Sequence, residues 1–250
     1  MSISDKLTTI AENEQKVYEA GRTKEWSDFW DDFQQKGNRV NYSYAFWQSG
    51  WSDVSFRPKH DIKTTNGEFM FSQSTITDMK GILEECNVKL DTSMTARMQN
   101  AFNNCIKLKR LPEISFESAT MDTRIQNAFA GDTQLEYIDK VIYPSNVYLA
   151  TTNTFSNCRS LTHLRIAGPN GAKEVIGKDF NVSWSPLDVE SVKDVILHLK
   201  DYSTDSTNKG KYILTLSDTS KTAMSELGTI PEFNNKTYDA YLTDIGWNLA

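Results

Sequence analysis

Between residues 100 and 167 the chain writes one short apolar frame three times. Asn100-Ala101-Phe102 is followed by Cys105, Leu108, Leu111 and Ile114; Asn127-Ala128-Phe129 by Asp132, Leu135, Ile138 and Val141; Asn153-Thr154-Phe155 by Cys158, Leu161, Leu164 and Ala167. Phe129 follows Phe102 by 27 residues, and Phe155 follows Phe129 by 26. Steps of three inside each copy match neither one face of an α-helix nor the alternation of a strand. A recurrence at this longer period marks an array in which each structural turn is laid on the previous one. Met70, Ile76, Met79 and Ile82 fit the frame as a weaker first copy, with Met70 in the Phe position.

The period lies in the range of leucine-rich repeats and predicts one solenoid coil per copy. In that reading a short helical turn carries Ala-Phe inward and the Cys or small residue closes a corner. Leu-x-x-Leu/Ile then opens a short strand that pairs with the strands of adjacent coils. One coil cannot bury its apolar side alone, but a stack can, and each buried Phe or Leu contributes roughly 1.5–3 kcal/mol before entropy. Phe102, Phe129 and Phe155 are therefore expected in the core, and Cys105 and Cys158 are expected to be small buried hydrophobes. Asp132 stands where the other copies carry Cys, which predicts a wetter corner there. Residues between the two leucines point to solvent from the strand. The candidate ligand-binding surface is thus Lys109, Arg110, Glu136, Tyr137, Thr162 and His163, and Arg and aromatic side chains are the ones that dominate contact energies.

The flanks complete an α/β chain in four parts. Residues 1–36 read as an amphipathic helix, capped by Ser4, in which Ile3, Leu7, Ile10, Glu14 and Val17 form a coiled-coil-like seam. Ile3, Leu7, Ile10 and Val17 are the candidate oligomerisation or attachment residues; the competing reading packs the same stripe against its own domain. Residues 37–66 form an aromatic-rich linker and N-terminal cap anchored by Phe46, Trp47 and Trp51, and residues 67–184 hold the repeats. Residues 185–250 predict a small C-terminal α/β cap. Ser185 as N-cap, Pro186 at N1 and Asp188 at N3 open a helix with Val189, Val192, Val195, Ile196 and Leu199 on one face. A strand in KYILTLS follows, then helices around 220–227 and 236–245, the latter stopped by Gly246, and a last strand in Trp-Asn-Leu. These strands are expected to extend the repeat sheet.

Composition narrows the function. The net charge is -6 and no Lys/Arg run occurs, which argues against a nucleic-acid partner. The N-terminus lacks the basic and apolar regions of a secretory signal, and no stretch of about 18 apolar residues is present to span a bilayer. Three dispersed cysteines, Cys86, Cys105 and Cys158, fit neither a disulfide framework nor a zinc cluster. Glycine-rich phosphate loops and hydrolase motifs are missing. His60, His163 and His198 sit in a linker, a repeat strand and a helix, a spacing that does not suggest convergence on a metal. The acidic pairs Asp31-Asp32 and Glu84-Glu85 read as solvated faces. No enzyme, cofactor or metal site is expected.

The NAF-x-x-C-x-x-L-x-x-L-x-x-I repeat resembles BspA-like leucine-rich repeats. With the opening MSISDKLTTIAENEQKVYEAG and the close from SPLDVESVKDVILHL through YILTLS to IGWNLA, nearly the whole chain looks like proteins encoded by phages and prophages of gut Firmicutes. The resemblance implies a virion-associated structural or adhesive protein. The N-terminal helix would attach it to the particle or to further copies, and the repeats would be displayed towards a host-surface protein or glycan. A capsid or tail decoration or scaffold protein without a host ligand, and a bacterial protein-binding repeat module, are the alternatives. The missing export signal favours assembly in the host cytoplasm and localisation on the virion.

Overall fold

Leu111 of one copy lies beside Ile138 of the next, and Ile138 beside Leu164, in hydrogen-bonded parallel register. The computed structural model describes residues 40–43, 45–48, 53, 56–58, 60–145, 148–150 and 153–250. The expected N-terminal helix with Ile3, Leu7, Ile10 and Val17, and also Trp51, lies outside the described residues. In chain order the elements are β1 (Val40–Asn41), β2 (Ile62–Asn66), α1 (Met79–Cys86), β3 (Leu90–Asp91), β4 (Arg110–Ser115), β5 (Tyr137–Ile142), β6 (His163–Ala167) and β7 (Phe180–Val182). They continue with α2 (Val189–Leu197), β8 (Ile213–Leu216), α3 (Asp218–Glu226), α4 (Tyr238–Asp244) and β9 (Asn248–Leu249). The described chain is α/β with parallel sheets, ordered β1-β2-β3, β4-β5-β6 and β7-β8-β9. Within each sheet every strand pairs with the next in sequence and runs parallel to it, so each of these connections must carry the chain back to the end at which the strand began.

A second parallel ladder runs along the corners that carry the phenylalanines. The N–H of Phe46 donates to Met70 O (2.8 Å), Phe71 to Ala101 O (2.7 Å), Phe102 to Ala128 O (2.8 Å) and Phe129 to Thr154 O (3.1 Å). The rings stack in the same order. Their centroids lie 4.6 Å apart for Phe46–Phe71, 5.4 Å for Phe71–Phe102, 5.9 Å for Phe102–Phe129 and 5.5 Å for Phe129–Phe155. All five side chains are buried. Offset stacking of such pairs adds about 0.5–1.5 kcal/mol each to the burial itself.

Phe71, not Met70, occupies the Phe position of the early copy, because Phe71 donates to Ala101 as Phe102 does to Ala128. Ile76 and Met79 keep their buried places beside the next copy, where Thr77 O accepts from Lys109 N and Asp78 bridges Arg110. The column also begins one turn earlier, at Phe46; Trp47, expected to anchor the cap, is 44 % exposed.

The corner is a run of tight turns rather than a helical turn. The residue two places after each column Phe has a left-handed backbone: Gln48, Gln73, Asn104, Gly131 and Asn157. Asn100 and Asn127, two places before, share it. Asn tolerates that conformation better than other side-chain-bearing residues, which explains the Asn of the Asn-Ala-Phe frame.

The C-terminal part departs from expectation in three respects, the smallest being that Leu199, expected on the helix face, lies beyond the end of α2 and bridges Ile176. Asp188, not Ser185, caps α2, accepting from Ser191 N–H (2.7 Å), while Ser185 Oγ donates to Cys158 O (3.2 Å). Pro186 favours a helix start only if the preceding residue is free to cap, and Ser185 is buried and committed to the previous turn. The strands β7, β8 and β9 form their own sheet instead of extending β4-β5-β6. The place beside β6 is taken by α2, whose side chains satisfy the strand: Leu164 N–H donates to Ser191 Oγ (3.0 Å) and Ile166 N–H to Asp194 Oδ2 (2.5 Å). The remaining elements of this part stand where expected, and Gly246, at φ 81°, ends α4.

Phe129→Ala removes the middle of the column and is expected to cost about 3–5 kcal/mol in urea unfolding; a loss below about 1 kcal/mol would reject the register. Gly131 sits at φ 83°, and a Cβ there would collide with Asn104 Oδ1. Gly131→Ala should lose at least the roughly 1–2 kcal/mol of a left-handed alanine, measured in the same titration.

Candidate ligand-binding face

Strands β4, β5 and β6 present their first residues at one register position: Arg110 pairs with Tyr137 and Tyr137 with His163. Strand spacing then brings the side chains into contact. The Tyr137 and His163 rings stack at 4.2 Å with planes 5° apart, and the Arg110 guanidinium lies 5.9 Å from the Tyr137 centroid. Of the six candidate residues, these three form a continuous half-buried row. Lys109, Glu136 and Thr162 form a parallel exposed row one residue earlier. Their backbones are interlocked, since Glu136 N–H donates to Lys109 O and Thr162 N–H to Glu136 O.

Both ends of the row stop at a helix cap. Asp78 caps α1, accepting from Gly81 N–H (2.8 Å), and its other oxygen takes the Arg110 guanidinium at 3.0 Å. Gly81 leaves the space this needs, because a Cβ would meet Asp78 Oδ2 at 2.5 Å. At the far end Asp188 caps α2, and His163 Nδ1 lies 3.9 Å from its Oδ2. The order across the face is Asp78, Arg110, Tyr137, His163, Asp188. Sequence reading found the inner three but missed the two aspartates. An Asp three residues before a small residue at a helix start was the available signal.

Beside the row, a groove of about 360 Å³ runs between α1 and β4. Leu83, Val88, Leu90 and Pro112 give it an apolar floor, and Lys80, Glu84, Glu113 and Asp139 a charged rim. Pro112 is tolerated inside β4 because that strand is at the edge of its sheet. Asp139 joins groove to row: it accepts from the Tyr137 hydroxyl (2.9 Å), and Lys80 Nζ lies 3.4 Å away. Burial and the Asp139 contact raise the Tyr137 pKa, while the Glu84 hydrogen bond (2.8 Å), opposed by burial, raises that of Lys80. For His163, burial and then Arg165 lower the pKa despite Asp188, so the ring is neutral at pH 7.

The arrangement offers planar aromatic and guanidinium edges with fixed hydrogen-bonding groups, which is chemistry of recognition by contact. Elsewhere, His60 is exposed and His198 Nδ1 lies 2.8 Å from Asp194 O on α2. Among the described residues no group of three His, Cys, Asp or Glu side chains converges to hold a metal, and no helix is long and apolar enough to cross a membrane. No family model, curated protein or solved structure matches the chain.

The lowered pKa of His163 has a signed consequence. The unfolded chain, with an ordinary His pKa near 6.5, takes up the proton first, so the contribution is complete above that value and is lost as pH falls below it. Lowering the pH from about 7.5 to about 5 should therefore destabilise the wild type more than His163→Gln, as read by unfolding titrations at both pH values.

Proposed function

We propose that this chain is a noncatalytic, BspA-like leucine-rich-repeat solenoid of a bacteriophage particle, and that its repeat face binds a protein or glycan on the host surface. The observation that carries the reading is the contiguous Arg110, Tyr137 and His163 row. Repetition aligns three contact-prone side chains on one side of a sheet, with the α1/β4 groove alongside. The parallel pairing at a spacing of 26–27 residues supports the solenoid assignment. In this reading residues 1–36 attach the protein to other virion proteins or to further copies through Ile3, Leu7, Ile10 and Val17. Many weak sites on one particle then act together.

One observation favours a second reading, that of a decoration or scaffold protein with no host ligand. Charges on the face are largely paired among themselves: Asp78 with Arg110 (3.0 Å), Glu113 with Lys140 (3.0 Å), and Lys80 with Glu84 and Asp139. Such mutual pairing also suits a surface selected only for solubility.

Adsorption separates the two. Particles carrying the Tyr137→Ala/His163→Ala variant should keep their integrity and adsorb to host cells at least tenfold less, given that truncating a contact hot spot costs about 2 kcal/mol or more. Normal adsorption with loss of particle integrity on deleting the protein would support decoration and reject the adhesive reading.

A further inference from the structure

A column of small polar groups runs beside the phenylalanine stack, through Ser74, Cys105, Asp132 and Cys158, each three residues after a column Phe. All four are buried, and Asp132 has no exposed surface at all, so its corner is closed to bulk solvent and not the wetter one expected from sequence. The two thiols show what the position demands. Each donates its Sγ–H to the Phe carbonyl of the turn before it, Cys105 to Phe71 O (3.0 Å) and Cys158 to Phe129 O (3.0 Å). Cys105 Sγ in addition lies 3.6 Å from Ser74 Oγ, and either atom can be the donor. A group here thus has room to accept one hydrogen bond and must donate another to the preceding Phe carbonyl.

Asp132 meets the first demand, since its Oδ1 accepts from Cys105 N–H at 2.7 Å. Its Oδ2 is buried and has no hydrogen-bond partner among the described residues. A carboxylate has no proton to donate, whereas a carboxylic acid has one, and the repeat sets Phe102 O in the place that Phe71 O and Phe129 O hold for the thiols. An uncompensated carboxylate buried in an apolar interior is far costlier than the neutral acid. The titratable groups facing Asp132 are the two thiols, from the turns before and after it. Among the described residues no cationic side chain contributes to its titration. Burial pushes the carboxyl pKa well up, and burial together with the nearness of Asp132 pushes both thiols up, so the thiols stay neutral, and neither could in any form carry the positive charge that a carboxylate here would need.

We infer that Asp132 is a protonated carboxylic acid in the folded protein at neutral pH, substituting for the thiol of the repeat and making the joint between adjacent turns tighten in acid and loosen in alkali. The sign follows from linkage. The unfolded chain releases the proton near pH 3.9 and the folded chain only at higher pH, so folding takes up a proton in between. Each pH unit in that window lowers the folding constant about tenfold relative to a variant that does not titrate.

The test is urea unfolding of wild type and Asp132→Asn at about pH 5.5 and about pH 7.5. The folding constant of the variant relative to wild type should rise more than tenfold between the two; an unchanged ratio would overturn the inference. Asp132→Cys restores the residue of the neighbouring repeats and should show the same shift if the Asn variant does not fold. Infrared difference spectra give a reading independent of folding energetics. A protonated-carboxyl band in the folded wild type at pH 7.5 that vanishes in the variant supports the assignment, and its absence from the wild type contradicts it.

Discussion

The hydrogen bond from each column Phe N–H to the carbonyl before the next column Phe sets the spacing at which everything else in this protein stacks. It holds successive turns at the separation of paired strands, within reach of ring-on-ring contact. The same spacing lays Leu111, Ile138 and Leu164 against one another on the inner side of the sheet and Arg110, Tyr137 and His163 on the outer side. Backbone pairing at the corner thus fixes the core and the face together. The left-handed residues after each Phe are the local cost of turning the chain sharply enough to bring its N–H groups into line.

What the sequence made legible followed from this repetition. Three copies in one frame were enough to place Phe102, Phe129, Phe155 and the paired strands, because a core position that recurs at a fixed interval must stack on itself. Copies that bend the frame were harder to read. At residues 70 and 71 two adjacent apolar side chains compete for one slot, and only the hydrogen bond to Ala101 decides for Phe71. Phe46 was hidden because no leucine frame follows it in the sequence. Asp132 was misjudged by treating polarity as a demand for water, although the site is fully buried and supplies a backbone donor for one of its oxygens. In the candidate face, inner members were visible from strand position, whereas Asp78, Asp139 and Asp188 belong to helix caps and a neighbouring strand row that periodicity does not rank.

Helices at both flanks of the central sheet give the face its boundaries. An open parallel edge would offer unpaired N–H groups to any passing strand. Here α1 lies against β4 and α2 against β6, and on the β6 side Ser191 and Asp194 take the exposed donors directly. The caps of these helices, Asp78 and Asp188, then become the anionic ends of the surface row. Protection of the sheet and definition of the candidate binding surface are in this way two consequences of one placement.

Native-state hydrogen exchange of the backbone amides tests the corner ladder most directly. The account predicts that the N–H groups of Phe71, Phe102 and Phe129 exchange only through global unfolding, with the same free energy as the amides of Phe116 and Tyr137 that join β4 to β5, since both ladders must open together. Fast exchange at the three phenylalanines, at rates of an unpaired loop while the β4–β5 amides stay protected, would contradict it and leave the strands without the spacing element on which their stacking depends.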